Sequence, residues 1–303
     1  MNQIITIQTQ PTRCCLHGWM VYTAGDGSKN PHYLRLYENA CKKRGMSVAQ
    51  CLYHPKMLGD KAAEGRLREL LLAQAPAFVI NRTRDYRLAK WLEAAGICVY
   101  NHSLVARLGN DKALAYRYMQ RRGIPVMPVL YGTDKPPQWY PAVVKSCGGH
   151  GGTEVFLIRS QAMWEEWKAQ HGEAGSGGQS YLVQQAASEL GRDVRVYLVG
   201  NKIAAAVLRT SETDFRSNYC LGGSVELYQL SGRERELVQR AADGLSIGMA
   251  GIDFIFDHGR MVFNEIEDMA GARGLYSLTD YDIVDEYIGF IQEERRNGTA
   301  KDL

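Results

Sequence analysis

A chain of 303 residues exceeds the size at which a single hydrophobic core usually stops growing, so two or three subdomains are expected. The apolar and charged fractions, 45% and 23%, are those of a soluble globular protein, and the formal charge of +3 is too small and too scattered to suggest a nucleic-acid partner. No apolar run approaches a membrane span, and Met1 to Thr6 lacks a charged leader followed by an apolar core, so neither a membrane nor a signal peptide is expected. Cysteine occurs seven times, an odd count with no Cys-x-x-Cys spacing, which points to reduced thiols in the cytoplasm. Cys14-Cys15 is either a redox pair or packing, with adjacent cysteines poorly suited to disulfide geometry, and Cys147 is either packing or an oxidation-sensitive thiol.

In chain order, Trp19 to Thr23 reads as a strand, and Tyr33 to Arg44 as a helix carrying Leu34, Tyr37 and Cys41 and stopping at Gly45. Val48 to Tyr53 and Phe78 to Asn81 are further strands, Arg87 to Ala95 is a helix closed by Gly96, and Ile97 to Tyr100 is a short strand. This alternation predicts a doubly wound parallel sheet over residues 1–105. Asn110 is suited to N-cap a helix from Asp111 to Arg122 that ends at Gly123. In the central unit, 106–181, Ala142 to Lys145 is a strand entering Gly148-Gly149-His150-Gly151-Gly152, Val155 to Ile158 returns, and a helix around Ala162 to Ala169 follows. Gly172 to Ser180 reads as a flexible connection. The last unit, 182–303, takes up Tyr181-Leu182-Val183-Gln184-Gln185, then strands Val194 to Val199 and Lys202 to Leu208 joined by Gly200-Asn201. Ser231 and Glu234 form a capping box for a helix from Arg233 to Leu245. An amphipathic helix, Ile283 to Ile291, ends the fold, with fraying expected beyond Glu293.

The most informative segment runs from Gly251 to Glu267. Its apolar residues are β-branched and aromatic, which predicts two strands, and His258-Gly259-Arg260 reads as a three-residue turn. That turn would place Asp253 opposite Glu265, with Glu267 on the same face. Three acids on one face repel one another, so a positive charge must sit between them; hard oxygens favour Mg²⁺, the bland alternative being a solvated edge hairpin. The glycine cluster at 148–152 lies between two strands and lacks the Gly-Lys-Ser/Thr end of a Walker loop. Its backbone N–H groups can approach phosphate oxygens, with Lys145 as a point charge, or the cluster is simply a mobile surface hairpin. Lys112, in the first turn of its helix, is poorly placed by the helix dipole unless an anion also comes there. Asp214-Phe215-Arg216-Ser217-Asn218 before Gly222-Gly223 packs a cation and donors into a loop suited to phosphate or carboxylate, and Arg209 is placed to join it.

The order Lys112, Lys145 with its glycine hairpin, Val183-Gln184-Gln185, Gly191-Arg192-Asp193-Val194-Arg195, Asp214 to Asn218, then Asp253, Glu265 and Glu267 resembles the ATP-grasp fold, and within it the RimK-type carboxylate–amine ligases. The resemblance covers nearly the whole chain. It implies an α/β fold in which a doubly wound N-terminal domain precedes two α+β subdomains that clasp ATP. It also implies that Lys112 and Lys145 bind phosphates, Gly149, His150, Gly151 and Gly152 lie in the lid, Gln185 and Ala186 read adenine, and Asp193 holds the ribose. Arg216, Ser217 and Asn218 would sit by the reacting groups, with Arg209 and Arg273 as further catalytic cations. Asp253, Glu265 and Glu267 would hold two Mg²⁺ ions, with Mn²⁺ as an alternative. Implied partners are small-molecule or peptide carboxylates and amines, and a homodimer or homotetramer is compatible with the family. The chain departs from the family pattern at Glu267, usually Asn; in the loop Glu267 to Gly274, usually Asn-x-Ser-Pro-Gly; and at Gln185, usually Glu. The expected reaction is ATP-dependent amide formation through an acyl phosphate, releasing ADP and phosphate. A kinase of the same fold and a nucleotide-binding protein without turnover are the competing expectations.

Overall fold

The computed structural model describes residues 5–7, 16–27, 31–152, 154–171, 180–217 and 223–299. Cys14, Cys15, Asn218, Cys220, Gly222 and the expected flexible connection at 172–179 therefore lie outside the described residues. No helix among the described residues is long and apolar enough to cross a membrane.

The N-terminal unit contains β1 (Ile5–Ile7), β2 (Leu16–Thr23), α1 (Ala24–Gly27), α2 (Pro31–Lys43), β3 (Met46–Tyr53), α3 (Lys61–Gln74), β4 (Phe78–Arg82), α4 (Tyr86–Ala94) and β5 (Val99–Tyr100). Strand order is β1-β3-β2-β4-β5, parallel except for β1 at the edge. β2 is central and buried on both faces, which is why Trp19-Met20-Val21 is an unbroken apolar run rather than an alternating one. Gly18 is needed beside it, because a Cβ there would meet the Phe78 ring at 2.3 Å. α3 was not expected from the sequence. Its signals are Asp60, whose side chain accepts from the N–H groups of Ala62 and Ala63, and the buried stripe Ala63, Leu67, Leu71.

Next come α5 (Ser103–Gly109) and α6 (Lys112–Arg121). The N-cap of α6 is Asp111, which accepts from the Leu114 N–H at 2.9 Å, and not the expected Asn110. Asn110 instead follows α5, its amide donating to the Ala106 carbonyl at 2.7 Å and to Asp268 at 3.1 Å. An antiparallel sheet of order β6-β9-β7-β8 follows, built from β6 (Val129–Tyr131), β7 (Ala142–Ser146), β8 (Val155–Ile158), α7 (Gln161–His171) on the way, and β9 (Tyr181–Gln185). Because β9 pairs with both β6 and β7, this unit extends to Gln185, and the expected boundary at 181/182 moves to follow it.

The last unit holds β10 (Glu189–Val199), β11 (Lys202–Thr210), β12 (Ser224–Leu227), α8 (Gly232–Ala242), β13 (Met249–Asp257), β14 (Arg260–Glu267), α9 (Arg273–Tyr276) and α10 (Ile283–Thr299). Its antiparallel order is β12-β11-β10-β13-β14. The capping box of Ser231 and Glu234 forms as expected. α10 does not fray after Glu293. The Tyr100 hydroxyl donates to Glu294 at 2.8 Å and the Gln292 amide donates to the Arg44 carbonyl at 2.8 Å, so its later turns are docked on the first unit. One apolar cluster joins Met20 and Ile80 of the first sheet and Tyr37 of α2 to Tyr197, Ile283, Tyr287 and Ile291, so the first and last units share a core.

Candidate active site

A pocket lies between the two antiparallel sheets, with the glycine hairpin joining β7 and β8 along one side. Lys112, Lys145, Gly149, Gly151, Gly152, Gln185, Ala186, Asp193, Arg216, Ser217 and Glu265, all expected from the sequence, line it. Lys112 Nζ, at the start of α6, donates to the Gly149 carbonyl at 2.5 Å and lies 3.3 Å from Glu265 Oε2. Arg216 donates to the Gly152 carbonyl at 2.6 Å and pairs with Asp214 through two nitrogens. Two cations therefore hold the two ends of the glycine turn.

Lys145 is only 8% exposed, since every residue of β7 is buried. Its ammonium donates to Asn264 Oδ1 at 2.7 Å and to the Tyr116 hydroxyl at 3.3 Å, and the Gln184 amide donates to the same hydroxyl at 3.1 Å. Burial lowers the Lys145 pKa to about 8, outweighing the opposing effect of Glu265. Asn264, Tyr116 and the Gln184 side chain were not read from the sequence. The available signal was a polar Asn inside an otherwise apolar hairpin.

Asp253 does face Glu265, but the expected three-residue turn is not the reason. The turn has two residues, His258 and Gly259, both with positive φ, and Asp257 pairs with Arg260. A β-bulge at Asn264 then inserts one residue and restores the expected register. The bulge also places Asn264 and Glu265 together on the pocket side, where both line the cavity.

Arginines answer the repulsion among the acids. β10 places Arg195 opposite Asp253, and its guanidinium donates to both oxygens of that carboxylate at 2.7 Å. Arg209 donates to Asp253 Oδ2 at 2.6 Å and to both oxygens of Asp193 at 2.6 Å, and Arg195 also reaches Glu267 at 3.2 Å. Asp253 is 0% exposed, and although burial pushes its carboxyl up, the two guanidiniums hold it at about 2. Arg209, expected as a catalytic cation, is thus a buried bridge between two strands. Asp193, expected at the ribose, spends both oxygens on that bridge.

The remaining expected residues fall differently. The N–H groups of Gln185 and Ala186, expected at adenine, donate to the Pro128 and Pro141 carbonyls, so neither N–H is free for a ligand. His150 lies in the hairpin but does not line the pocket; burial, with Arg84 and Lys112 adding to it, lowers its pKa to about 4. Arg273 opens α9, is exposed, and does not line the pocket.

The donor set discriminates among the three acids as holders of a divalent ion. No group of three His, Cys, Asp or Glu among the described residues is arranged to hold a metal. Glu265 and Glu267 keep side chains about one-third exposed (30% and 31%) and offer hard oxygens, the one- or two-carboxylate set that Mg²⁺ commonly uses beside phosphates. They fit such an ion; Asp253, saturated by guanidiniums, does not.

The comparisons with known proteins agree with this architecture. Residues 135–291 match the model of the RimK-like ATP-grasp domain. A probable alpha-L-glutamate ligase 2 of Hahella chejuensis is 30% identical over 221 residues, covering 69% of this chain and 71% of that protein. Among solved structures, a RimK-domain ATP-grasp protein of Sphaerobacter thermophilus superposes with a TM-score of 0.67 at 21% identity, covering 89% of this chain and 98% of that one. The D-alanine–D-alanine ligase of Bacillus anthracis superposes with a TM-score of 0.69 at 11% identity, covering 95% and 100%. With half of its length matched by the family model and a relative of this identity and coverage, the chain belongs to the RimK-like ATP-grasp family.

Proposed function

We propose that the pocket binds ATP with its phosphates under the glycine hairpin, and that a carboxylate is activated there and joined to an amine. The chain is an ATP-dependent carboxylate–amine ligase. ATP-grasp ligases use ATP and divalent ions, and in this chain Glu265 and Glu267 would hold Mg²⁺, with Mn²⁺ as the alternative. That ion would supply positive charge to the transferring phosphoryl group. The observation that carries the reading is the convergence of Lys112, Lys145 and Glu265 on one pocket, with the hairpin held at Gly149 and Gly152.

A carboxylate is a poor electrophile because its leaving oxide is too basic. Transfer of the γ-phosphoryl group makes an acyl phosphate, and attack by the amine then expels phosphate. Lys112 and Lys145 would stabilise negative charge on the phosphoryl oxygens, and Arg216, beside Gly152, would stabilise the acyl oxyanion. The hairpin would exclude water and protect the acyl phosphate from hydrolysis. His150, held near 4, is neutral at pH 7 but too weak a base to lead proton removal from the amine. The acid is an amino acid, a peptide or a protein terminus, a class supported by the glutamate-ligase name of the Hahella relative. Action in the cytoplasm is supported by the odd count of seven cysteines with no Cys-x-x-Cys spacing.

The test is a phosphate-release screen of amino-acid pairs with mass detection of the product. Release is expected only when an acid and an amine are both present, and Lys145→Ala or Glu265→Gln should abolish it without changing the circular dichroism. Phosphate retained on the product would make the protein a kinase, and full rates in either variant would remove the site assignment.

A further inference from the structure

A second cavity, of about 830 Å³, shares no residue with the ATP pocket. Its walls come from both units that share the central core. The first unit contributes the end of α4 and all of β5; the last contributes the Gly200-Asn201 turn, the link from α8 to β13, and α10. Tyr100 of β5 and Phe290 of α10 meet there edge to face, with ring centroids 6.2 Å apart. The turn fixes the Phe290 ring, since a Cβ at Gly200 would stand 2.7 Å from it. Glu93 and Glu294 bring two carboxylates, and among the described residues no lysine or arginine lines the cavity. Glu93 accepts from the Ser103 N–H and hydroxyl, both at 2.6 Å, and His102 Nε2 lies 3.5 Å from it. Glu294 accepts from the Tyr100 hydroxyl at 2.8 Å. Among the described residues neither carboxylate has a lysine or arginine within ion-pair distance; the neighbouring Arg295 donates to the Cys98 sulfur at 2.6 Å. The C-terminal ends of α4 and α8, the negative ends of their dipoles, border the same space.

We infer that this cavity is a second binding site, and that its ligand is an organic cation: an alkyl chain ending in an ammonium or guanidinium group. Two acids, two helix C-termini and two aromatic rings all favour positive charge there. A carboxylate makes charge-assisted hydrogen bonds to such a head group, and the faces of Tyr100 and Phe290 attract it through their ring quadrupoles. Ile97, Val99, Leu245 and Ile247 complete the lining and suit the alkyl chain. The volume is that of a small-molecule site, far larger than a bare metal ion needs, and rings and aliphatic walls offer such an ion no ligands. Because the walls belong to two units, a bound cation ties the first unit to the last and stabilises the whole fold by mass action. The head group comes either from a free aliphatic amine or from a basic side chain of a peptide. The site does not depend on the ligase reading.

The test uses the whole protein with 1,4-diaminobutane dihydrochloride, with N-acetyl-arginine amide as the peptide-like cation, and with 1,4-butanediol as the neutral control, all at ionic strength matched by sodium chloride. At about ten times the half-saturating concentration, a binding cation should raise the wild-type melting temperature by roughly 2 °C, and butanediol should not. Cys98 lines the cavity and reports on it directly. Its alkylation by iodoacetamide, followed by peptide mass spectrometry, should slow about tenfold under the same conditions. Glu294→Gln keeps an acceptor for Tyr100 but removes the charge, and should lose both effects. Phe290→Leu should weaken them and covers the case in which Glu294→Gln does not fold. Lys145→Ala, in the ATP pocket, should keep them. A larger effect of the diamine assigns the site to free amines, and a larger effect of the arginine derivative assigns it to a basic peptide. Equal effects of butanediol, an increment that survives Glu294→Gln, or an unchanged Cys98 rate with both cations overturns the site. Cation effects of the expected kind without phosphate release from any amino-acid pair would support the cavity site and leave the ligase reading to fail on its own.

Discussion

Asn264→Leu isolates the contribution of the bulge to the phosphate site. The substitution nearly conserves volume but removes the 2.7 Å acceptor of Lys145, leaving only the Tyr116 hydroxyl at 3.3 Å. At 8% exposure, the ammonium has little access to water that could replace the lost partner. A hydrogen bond to a charged group contributes about 1.5–3 kcal/mol, so kcat/KM for ATP should fall by roughly 10- to 100-fold. Loss of the acceptor also disfavours the ammonium further, moving its pKa below about 8, so the defect should deepen between pH 7 and pH 9. Steady-state phosphate release against ATP concentration at both pH values reads the two effects. A variant with wild-type kcat/KM at both pH values would show that Asn264 does not position Lys145, and the functional reading of the bulge would fail.

Three further outcomes follow from the same contacts. Lys145 must be charged to hold phosphate, so kcat/KM for ATP should decline above about pH 8, approaching tenfold per unit; a Lys145→Arg enzyme that keeps the decline would assign it elsewhere. Because the folded pKa lies below the ordinary lysine value of about 10.4 that holds in the unfolded chain, the charged lysine costs stability below about pH 8 and the cost is relieved as pH rises toward that ordinary value. Urea melts should therefore find Lys145→Met more stable than wild type at pH 7, by up to about 3 kcal/mol, with the gap closing by pH 10.5; a constant gap would refute the linkage. Arg209→Leu leaves Asp193 without its ion-pair partner and Asp253 with Arg195 alone, both acids buried, and should lower unfolding free energy by about 3–5 kcal/mol; a loss below about 1 kcal/mol would remove the bridge role.

Local signals made most of the fold legible. The apolar runs of β2 to β4, the glycine stops at Gly45 and Gly96, the Gly200-Asn201 turn and the Ser231–Glu234 box all act within a few residues, and the structure contains each of them. What the sequence did not reveal depends on contacts between distant segments. Asn110 is a plausible cap in isolation, but Asp111 wins because the Asn110 amide is drawn to Ala106 and to Asp268, far along the chain. The last turns of α10 look frayed until Arg44 and Tyr100 are placed against them. In the site, the lysines and the hairpin were readable as motifs. The arginine partners were not, because pairing β10 with β13 is a tertiary choice that no spacing in the sequence records.

That choice bears on Glu267, where the family usually has Asn. Read from the hairpin alone, the extra acid adds negative charge to a metal site; in the structure Arg195 stands 3.2 Å from it. Glu267→Asn separates the two accounts. Asp253 keeps two bonds from Arg195 and one from Arg209, so the fold should lose less than about 1 kcal/mol, as expected for a partly exposed pair. One unit of charge 4 Å from a cation contributes between about 1 kcal/mol in water and about 4 kcal/mol at an effective dielectric constant of 20. If Glu267 faces a divalent ion, the Mg²⁺ concentration for half-maximal turnover should therefore rise at least about fivefold. An unchanged Mg²⁺ requirement would mean that Arg195 consumes the charge of Glu267, and that Glu265 alone among the three acids serves the ion.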